Sequence, residues 1–519
     1  MKRTVILAIL DGWGLGADNE SNPIFKAEPK AINALKTNFP AGALQASGLA
    51  IGLPWNEEGN SEVGHMIIGT GRTIFQHYLR ISSAIENGEF FKNPALIEAC
   101  DHVNKNNSSL HLVGLLSSGL VHSSFSHLAA LLRLAKEKKC QKVFLHLFSD
   151  GRDSAQKSFP ELLDKLKQEI KKYDIGEIAS IAGRYYAMDR GQNWNYTEKS
   201  YNNLTEPKNF TKDALEFAEQ NYKQNIFDEY FPEIAIGEPH PIKDNDAIIF
   251  FNFREDRMRQ ISESFINPTF DKFTIKKLTN LKTVTMTKYH KNENFPTPVA
   301  FPNEIIENSL SQILSENGKT QLRIAETEKY AHITYFFNGL RETPFDKEFR
   351  VLIPSNKILH PEEKPEMMAQ PITERALNAI NEASFDFILI NYANPDIIAH
   401  TGNYDATIKA VQIVDQQIDR LIKATLDQNH VLIITSDHGN AESLIDPETG
   451  QPETKHNLSP VPFYIVAKEL KRTKTEKEIR AAEKSSIGIL ADVAPTILKI
   501  MGLPQPKEMT GQNLLDLIA

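Results

Sequence analysis

Six apolar residues in a row, Val5-Ile6-Leu7-Ala8-Ile9-Leu10, stop abruptly at Asp11-Gly12. The pattern recurs. Short apolar runs at 110–116, 143–148, 247–251, 385–391 and 431–435 each break into polar or glycine residues, separated by longer segments whose apolar positions fall three and four apart. Apolar runs of this length predict strands buried on both faces, and the 3.6-residue spacing predicts helices over 126–138, 159–173 and 407–428. In the last of these, Ile408, Val411, Ile413, Val414, Ile418, Leu421 and Ile422 form one core-facing stripe. Such alternation predicts an α/β protein with parallel sheets, and no internal repeat or low-complexity tract interrupts it.

The residues that end the apolar runs carry the chemistry. Val431-Leu432-Ile433-Ile434 runs into Thr435-Ser436-Asp437-His438-Gly439, which delivers an acid and an imidazole to the carboxyl edge of a buried strand, where open α/β sheets place their ligands. Asp11 repeats that arrangement at the first strand. Asp396 and His400, four apart, share one helical face; alone they read as an ordinary helix pair, and His456, shortly before Pro460 and Pro462, reads as a surface-loop residue. Their coincidence with Asp437-His438 points to a metal site. Ser61, in Asn60-Ser61-Glu62-Val63-Gly64-His65, has no G-x-S-x-G setting and no hydrolase triad beside it. Metal coordination is the alternative route to a nucleophile. Ions such as Mn²⁺ accept mixed carboxylate and imidazole ligands, and a pair of them activates one oxygen while clamping a phosphoryl group.

These metal-site candidates lie only before residue 65 and after residue 395, so about 330 residues leave the site and return to it. One domain inserted into another is expected, with the exit near 69–75 and the return at the proline cluster Asn294-Phe295-Pro296-Thr297-Pro298 and Pro302. The insert carries a different chemistry: His122, Asp150-Gly151-Arg152-Asp153, Gly183-Arg184, Asp189-Arg190 and Asn252-Phe253-Arg254-Glu255-Asp256-Arg257. Any single arginine reads first as a surface ion pair. Arg254 and Arg257, directly after Ile248-Ile249-Phe250-Phe251, are the exception, because charge at the mouth of a buried strand is costly unless paired or used. Guanidinium forks gathered at strand ends suit a small polyanion.

Bulk properties narrow the classes. At 519 residues two domains are expected, and a net charge of −9 without a long basic run argues against nucleic-acid or membrane-surface partners. Cys100 and Cys140 form no metal or redox motif and fit a reducing cytoplasm. The N-terminal apolar run stops after about six residues, short of the ~7–15 of a signal-peptide core. A soluble, cytoplasmic protein is expected.

At this point the chain resembles the cofactor-independent (2,3-bisphosphoglycerate-independent) phosphoglycerate mutases of the alkaline phosphatase superfamily. The resemblance runs nearly end to end, through Leu10-Asp11-Gly12-Trp13-Gly14, Gly59-Asn60-Ser61-Glu62-Val63-Gly64-His65, Asp150-Gly151-Arg152-Asp153, Gly183-Arg184-Tyr185-Tyr186, Arg323-Ile324-Ala325-Glu326-Thr327-Glu328-Lys329-Tyr330-Ala331-His332 and Asn391-Tyr392-Ala393-Asn394-Pro395-Asp396. It implies an alkaline-phosphatase-like domain in two parts, 1–75 and 303–519, with a second α/β substrate domain at 76–302 inserted into it. It implies two Mn²⁺ per chain, one held by Asp396, His400 and His456, the other by Asp11, Ser61, Asp437 and His438. A substrate set of His122, Arg152, Asp153, Arg184, Arg190, Arg254, Arg257 and Lys329 follows from it too.

The implied reaction interconverts 3- and 2-phosphoglycerate through a phosphoserine on Ser61, with Asp153 as acid and then base and Lys329 offsetting phosphoryl charge, in a monomer. The alternative is a metal-dependent phosphatase or another phosphomutase of the superfamily, against which the full arginine set argues. Four positions depart from the family's usual pattern: Ser118, Leu120 and Ser124 around the pocket histidine, and Leu340 where glycine is usual.

Overall fold

The computed structural model describes residues 3–290, 297–302, 306–446, 449–479 and 486–518. The chain forms two compact units, Met1–Phe75 with Ile305–Ala519, and Gln76–Glu304. Part of the proline cluster expected at the return, Asn294 to Pro296, lies outside the described residues, as does the expected boundary at residue 303.

The first unit is built on an eight-stranded sheet in the spatial order Glu348–Ile353, Gln321–Glu326, Phe387–Tyr392, Val5–Leu10, Val431–Thr435, Val461–Val466, Ala41–Gln45, Ser486–Ile489. Val5–Leu10 is buried at every position, paired in parallel with Phe387–Tyr392 on one side and Val431–Thr435 on the other. An all-apolar strand at the centre of a sheet covered on both faces removes every side chain from water, which is why its sequence shows no alternation. The helix Tyr404–Asp427 buries Val411, Val414, Ile418 and Leu421, with Ile408, Ile413 and Ile422 packed around them. Its first turn is capped by Asn403, whose side chain accepts from Ala406 N.

The sheets are not parallel throughout. Val461–Val466 runs antiparallel to both of its neighbours. Pro462 sits inside that strand and has no N–H to give, and Gly42 marks the adjoining one.

The second unit has seven strands in the order Phe210–Thr211, Ile234–Ile236, Glu177–Gly183, Val143–Ser149, Leu110–Leu116, Ala247–Phe250, Lys282–Thr285. All pairs are parallel except Ile234–Ile236 against Glu177–Gly183. A polar chain crosses its core: Ser180 Oγ lies 2.7 Å from His146 Nδ1, His146 Nε2 lies 2.9 Å from His111 Nδ1, and His111 Nε2 lies 3.2 Å from Asp246 Oδ2. Burial lowers the pKa of both rings, and with both neutral the chain is complete: His111 donates to Asp246, His146 to His111, and Ser180 to His146. No helix among the described residues is long and apolar enough to cross a membrane.

Candidate functional site

In the first unit, four parallel strands end on one edge of the sheet, and each delivers residues there. Asp11 follows Val5–Leu10, and Asp437-His438 follow Val431–Thr435. Phe387–Tyr392 leads into the helix Asn394–Ala399, which carries Asp396 in its first turn and ends at His400. Gln321–Glu326 leads into the short helix Thr327–Ala331, which carries Lys329. Ser61 starts the helix Ser61–Thr70, whose preceding Asn60 side chain accepts from Val63 N. The first residue of a ten-residue helix sits in the positive end of its dipole, a setting that favours an anion on Ser61 Oγ.

The approach is close enough to fix glycine at two positions. Gly12 has φ +73°, and a Cβ there would meet Asp396 Cβ at 2.8 Å; at Gly64 one would meet the Asp437 carbonyl oxygen at 2.5 Å.

Lys329 Nζ, fully buried, donates to Asp11 Oδ1 at 2.5 Å, to Asp396 Oδ2 at 2.6 Å and to Ser61 Oγ at 2.8 Å. Ser61 Oγ lies 3.0 Å from His438 Nε2 and 3.2 Å from Asp11 Oδ1. Burial opposes the Lys329 charge, but Asp11 and Asp396 outweigh it and hold the ammonium above its usual range. Burial also works against an Asp396 carboxylate, yet Lys329 and the hydrogen bond from His400 keep it well below the ordinary value. Asp11 goes the other way, raised by burial and by Asp437. His456 Nε2 lies 3.0 Å from His400 Nε2 and 3.4 Å from Asp396 Oδ1, and its ring stacks on His438 at 3.9 Å between centroids.

This donor set fits divalent cations. Asp396, His400 and His456 converge, as do Asp11, Asp396 and His438, each group with its ligand atoms within 4.8 Å of one another. Asp437 Oδ1 accepts from Gly12 N and His438 N, whereas Oδ2 is buried with no well-aligned hydrogen bond, His65 Nδ1 standing 3.2 Å away. A buried carboxylate oxygen so poorly satisfied is costly unless a cation takes it.

The second unit repeats the strand-end logic. His122 follows Leu110–Leu116, Asp150 to Asp153 follow Val143–Ser149, Arg184 follows Glu177–Gly183, and Arg254 to Arg257 follow Ala247–Phe250. Arg184, 3 % exposed at its side chain, donates through Nη1 to Asp150 Oδ1 and Asp153 Oδ2, both at 2.6 Å. Asp256 collects Arg190 at 2.7 Å and Arg254 at 3.3 Å, while Arg152 pairs with Glu229 at 2.9 Å.

Burial, with Arg190, Arg184 and Arg152 repelling in turn, lowers the Arg257 pKa from its usual value. Burial and then Arg184 push His122 down to about 4, so it stays neutral near pH 7. Five guanidiniums and one neutral imidazole thus gather here, Arg152, Arg184, Arg190 and Arg254 held by carboxylates and Arg257 donating to the Met188 carbonyl oxygen. Arg254 is half exposed and paired, so its place there needs no buried-charge argument, unlike the expectation from its neighbouring strand.

Of the departures, Ser118 Oγ donates to Ser154 Oγ, Ser124 Oγ pairs with Ser126 Oγ, Leu120 is exposed, and Leu340 takes φ +69°. The last is a left-handed conformation that costs a branched residue what glycine avoids. Sequence reasoning assigned no role to His65, Asn391, Asn440 or Asp256. The first three touch Asp11, Asp437 or Asp396, and Asp256 gathers the arginines. Asn391 and His65 stood inside quoted motifs, but nothing in their spacing marked them.

Comparison with known proteins gives the class and then the family. The chain matches the family described as BPG-independent PGAM N-terminus over residues 81–291 and the sulfatase family over 267–503. An α/β unit of sulfatase type with a distinct N-terminal mutase unit defines an alkaline-phosphatase-like enzyme. The 2,3-bisphosphoglycerate-independent phosphoglycerate mutase of a Clostridium botulinum strain is 43% identical over 520 residues, covering 99% of both chains. That of a Clostridium perfringens strain is 44% identical over 523 residues with the same coverage. A Leishmania mexicana phosphoglycerate mutase, solved at low cobalt concentration, is 28% identical with a TM-score of 0.61, covering 99% of this chain and 97% of that one. The chain belongs to the 2,3-bisphosphoglycerate-independent phosphoglycerate mutases.

Proposed function

We propose that the chain interconverts 3-phosphoglycerate and 2-phosphoglycerate without 2,3-bisphosphoglycerate, by way of a phosphoserine on Ser61. The observation that carries this reading is the contact of Ser61 Oγ with Lys329 Nζ, 2.8 Å away at a helix N-terminus and beside the poorly satisfied Asp437 carboxylate oxygen. Asp396, His400 and His456 would hold one Mn²⁺, and Asp11, Ser61, Asp437 and His438 a second. When bound, such ions supply positive charge that favours ionised Ser61 and offsets the phosphoryl oxygens.

Ser61 Oγ attacks phosphorus in line as the bond to O3 breaks, and Lys329 offsets charge on the equatorial oxygens. Asp153 gives its proton to the departing O3 alkoxide and, as carboxylate, takes the proton of the 2-hydroxyl. O2 then attacks the phosphoserine and Ser61 leaves. Between these steps Arg184, Arg190, Arg254 and Arg257 hold the glycerate carboxylate, with His122 and Arg152 completing the set. The enzyme is read as a monomer, and two free buried cysteines suit a reducing cytoplasm.

The test is a coupled mutase assay on chelator-stripped protein with 2,3-bisphosphoglycerate omitted. Activity should vanish and return with Mn²⁺. Full activity after stripping, or a strict requirement for the bisphosphate, would overturn the reading.

A further inference from the structure

A third acid and histidine group converges in the first unit beside the two already described: Asp11, His65 and Asp437. Its hydrogen bonds show that it has another use. His65 is wholly buried on the helix Ser61–Thr70, and its Nδ1 lies 2.9 Å from the Ser61 carbonyl oxygen, an atom that only accepts. Nδ1 therefore carries the ring proton. His65 Nε2 lies 2.9 Å from Asn391 Nδ2, which also donates to Asp11 Oδ2 at 2.8 Å. An amide nitrogen only donates, so Nε2 accepts. With one ring nitrogen spent as donor and the other as acceptor, neither offers a lone pair to a cation.

The consequence is a continuous brace from Asp11 through Asn391 and His65 to Ser61. It ends at the nucleophile's own carbonyl, and the same Nδ1 edge stands 3.2 Å from Asp437 Oδ2. With Asp11 Oδ2 held by Asn391, Oδ1 is the oxygen that faces Ser61 and Lys329. With Asp437 Oδ1 bonded to backbone N–H groups, Oδ2 is the oxygen left open.

We infer that His65, seated by Asn391, is a positioning residue that sets which carboxylate oxygens of Asp11 and Asp437 serve the cation beside Ser61, and fixes Ser61 itself. The inference rests on the metal-dependent reading above and adds a residue to it. Partners that orient ligands in this way typically change metal affinity or activity by 10- to 100-fold when removed. Asn391 acts on the same brace from the other side, so its loss should reproduce the effect of losing His65. The two should not add, because either one opens the same chain of contacts.

The experiment measures Mn²⁺ binding to chelator-stripped full-length protein by calorimetry, together with thermal unfolding of the stripped protein and steady-state kinetics. His65→Ala should weaken one class of Mn²⁺ sites about 10- to 100-fold and leave the other unchanged, while kcat falls. His65→Asn, whose amide N–H can reach the Ser61 carbonyl as Nδ1 does, should recover part of that affinity, and His65→Ala with Asn391→Ala should be no worse than His65→Ala. A purely structural role would lower the unfolding temperature of the stripped protein yet leave both Mn²⁺ affinities at wild-type values, and that result overturns the inference. Should stripped wild-type protein stay active and bind no Mn²⁺, the metal-dependent reading itself fails. Loss of wild-type activity on stripping, with undiminished Mn²⁺ affinity in every His65 variant, removes the brace alone.

Discussion

Lys329 Nζ stands 2.8 Å from Ser61 Oγ, with its two remaining protons directed at Asp11 and Asp396. One ammonium thus balances two buried carboxylates at the nucleophile. Removing one partner from a buried ion pair typically costs about 3–5 kcal/mol, because the other charge stays behind. Lys329→Met should therefore destabilise chelator-stripped protein by about that amount, and Mn²⁺ should restore much of the loss by taking over the compensation. Urea unfolding with and without Mn²⁺ checks this. Equal stability of the stripped variant and stripped wild type would show that Lys329 does not balance those acids.

Ser61 is the hydroxyl that Lys329, His438 and Asp11 all reach. Ser61→Ala should remove turnover while leaving far-ultraviolet circular dichroism unchanged, and should prevent phosphate label from 3-phosphoglycerate staying on the protein after rapid acid quench. Ser123→Ala and Ser124→Ala should keep the label. A tenth of wild-type turnover in Ser61→Ala would take this residue out of the reaction.

Arg257 is the guanidinium that the others crowd, so a bound carboxylate relieves repulsion there. Arg257→Ala should lower mutase kcat/KM about 10- to 100-fold, the effect of losing one charge-assisted contact. Release of inorganic phosphate should rise relative to 2-phosphoglycerate, since a phosphoserine without its acceptor is open to water. Asp437→Ala should depress both reactions together. An unchanged ratio of isomerisation to hydrolysis in Arg257→Ala would mean that the arginines do not retain the glycerate.

The His111–His146 chain sets a pH dependence of stability. Burial lowers the pKa of both rings, so the folded protein keeps them neutral where the unfolded chain, near 6.5, takes protons. The unfolded state then binds more protons, and stability falls as pH drops below about 6.5, by up to about 1.4 kcal/mol per pH unit for each ring. His122, His127, His290 and His332 are lowered too and act in the same direction. The urea midpoint should fall from pH 7.5 to 5, and His146→Gln should flatten that slope by about one proton. An identical slope in the variant would show that His146 is not among the titrating groups.

Much of the fold was legible because its central strands are unbroken apolar runs that stop at charged or glycine residues; Val5–Leu10 and Val431–Thr435 have the bounds expected of them. The edges were not. Val461–Val466 contains a proline, Ala41–Gln45 is short and glycine-bearing, and Phe210–Thr211 has two residues, so none has a pattern of its own. In the site, acids and histidines at strand ends stood out by residue type, and their convergence is visible in Asp396, His400 and His456. Lys329 had no such signal and entered only through the family resemblance. His65 and Asn391 escaped notice because the bonds that join them to each other and to Asp11 span hundreds of residues, and such contacts leave no local periodicity.

Val5–Leu10 has one more consequence, which concerns biosynthesis. It leaves the ribosome hundreds of residues ahead of both of its partners, Phe387–Tyr392 and Val431–Thr435. Until those emerge, a six-residue apolar strand with no charge and no proline waits without a neighbour, the kind of segment that templates aggregation. The second unit, continuous from Gln76 to Glu304, has all its strands in hand long before then. It can fold while the first unit is still incomplete. Nascent chains stalled short of residue 431 should therefore hold a folded middle and an exposed N-terminal strand, and a chaperone that binds apolar extended peptides should engage them at residues 5–10.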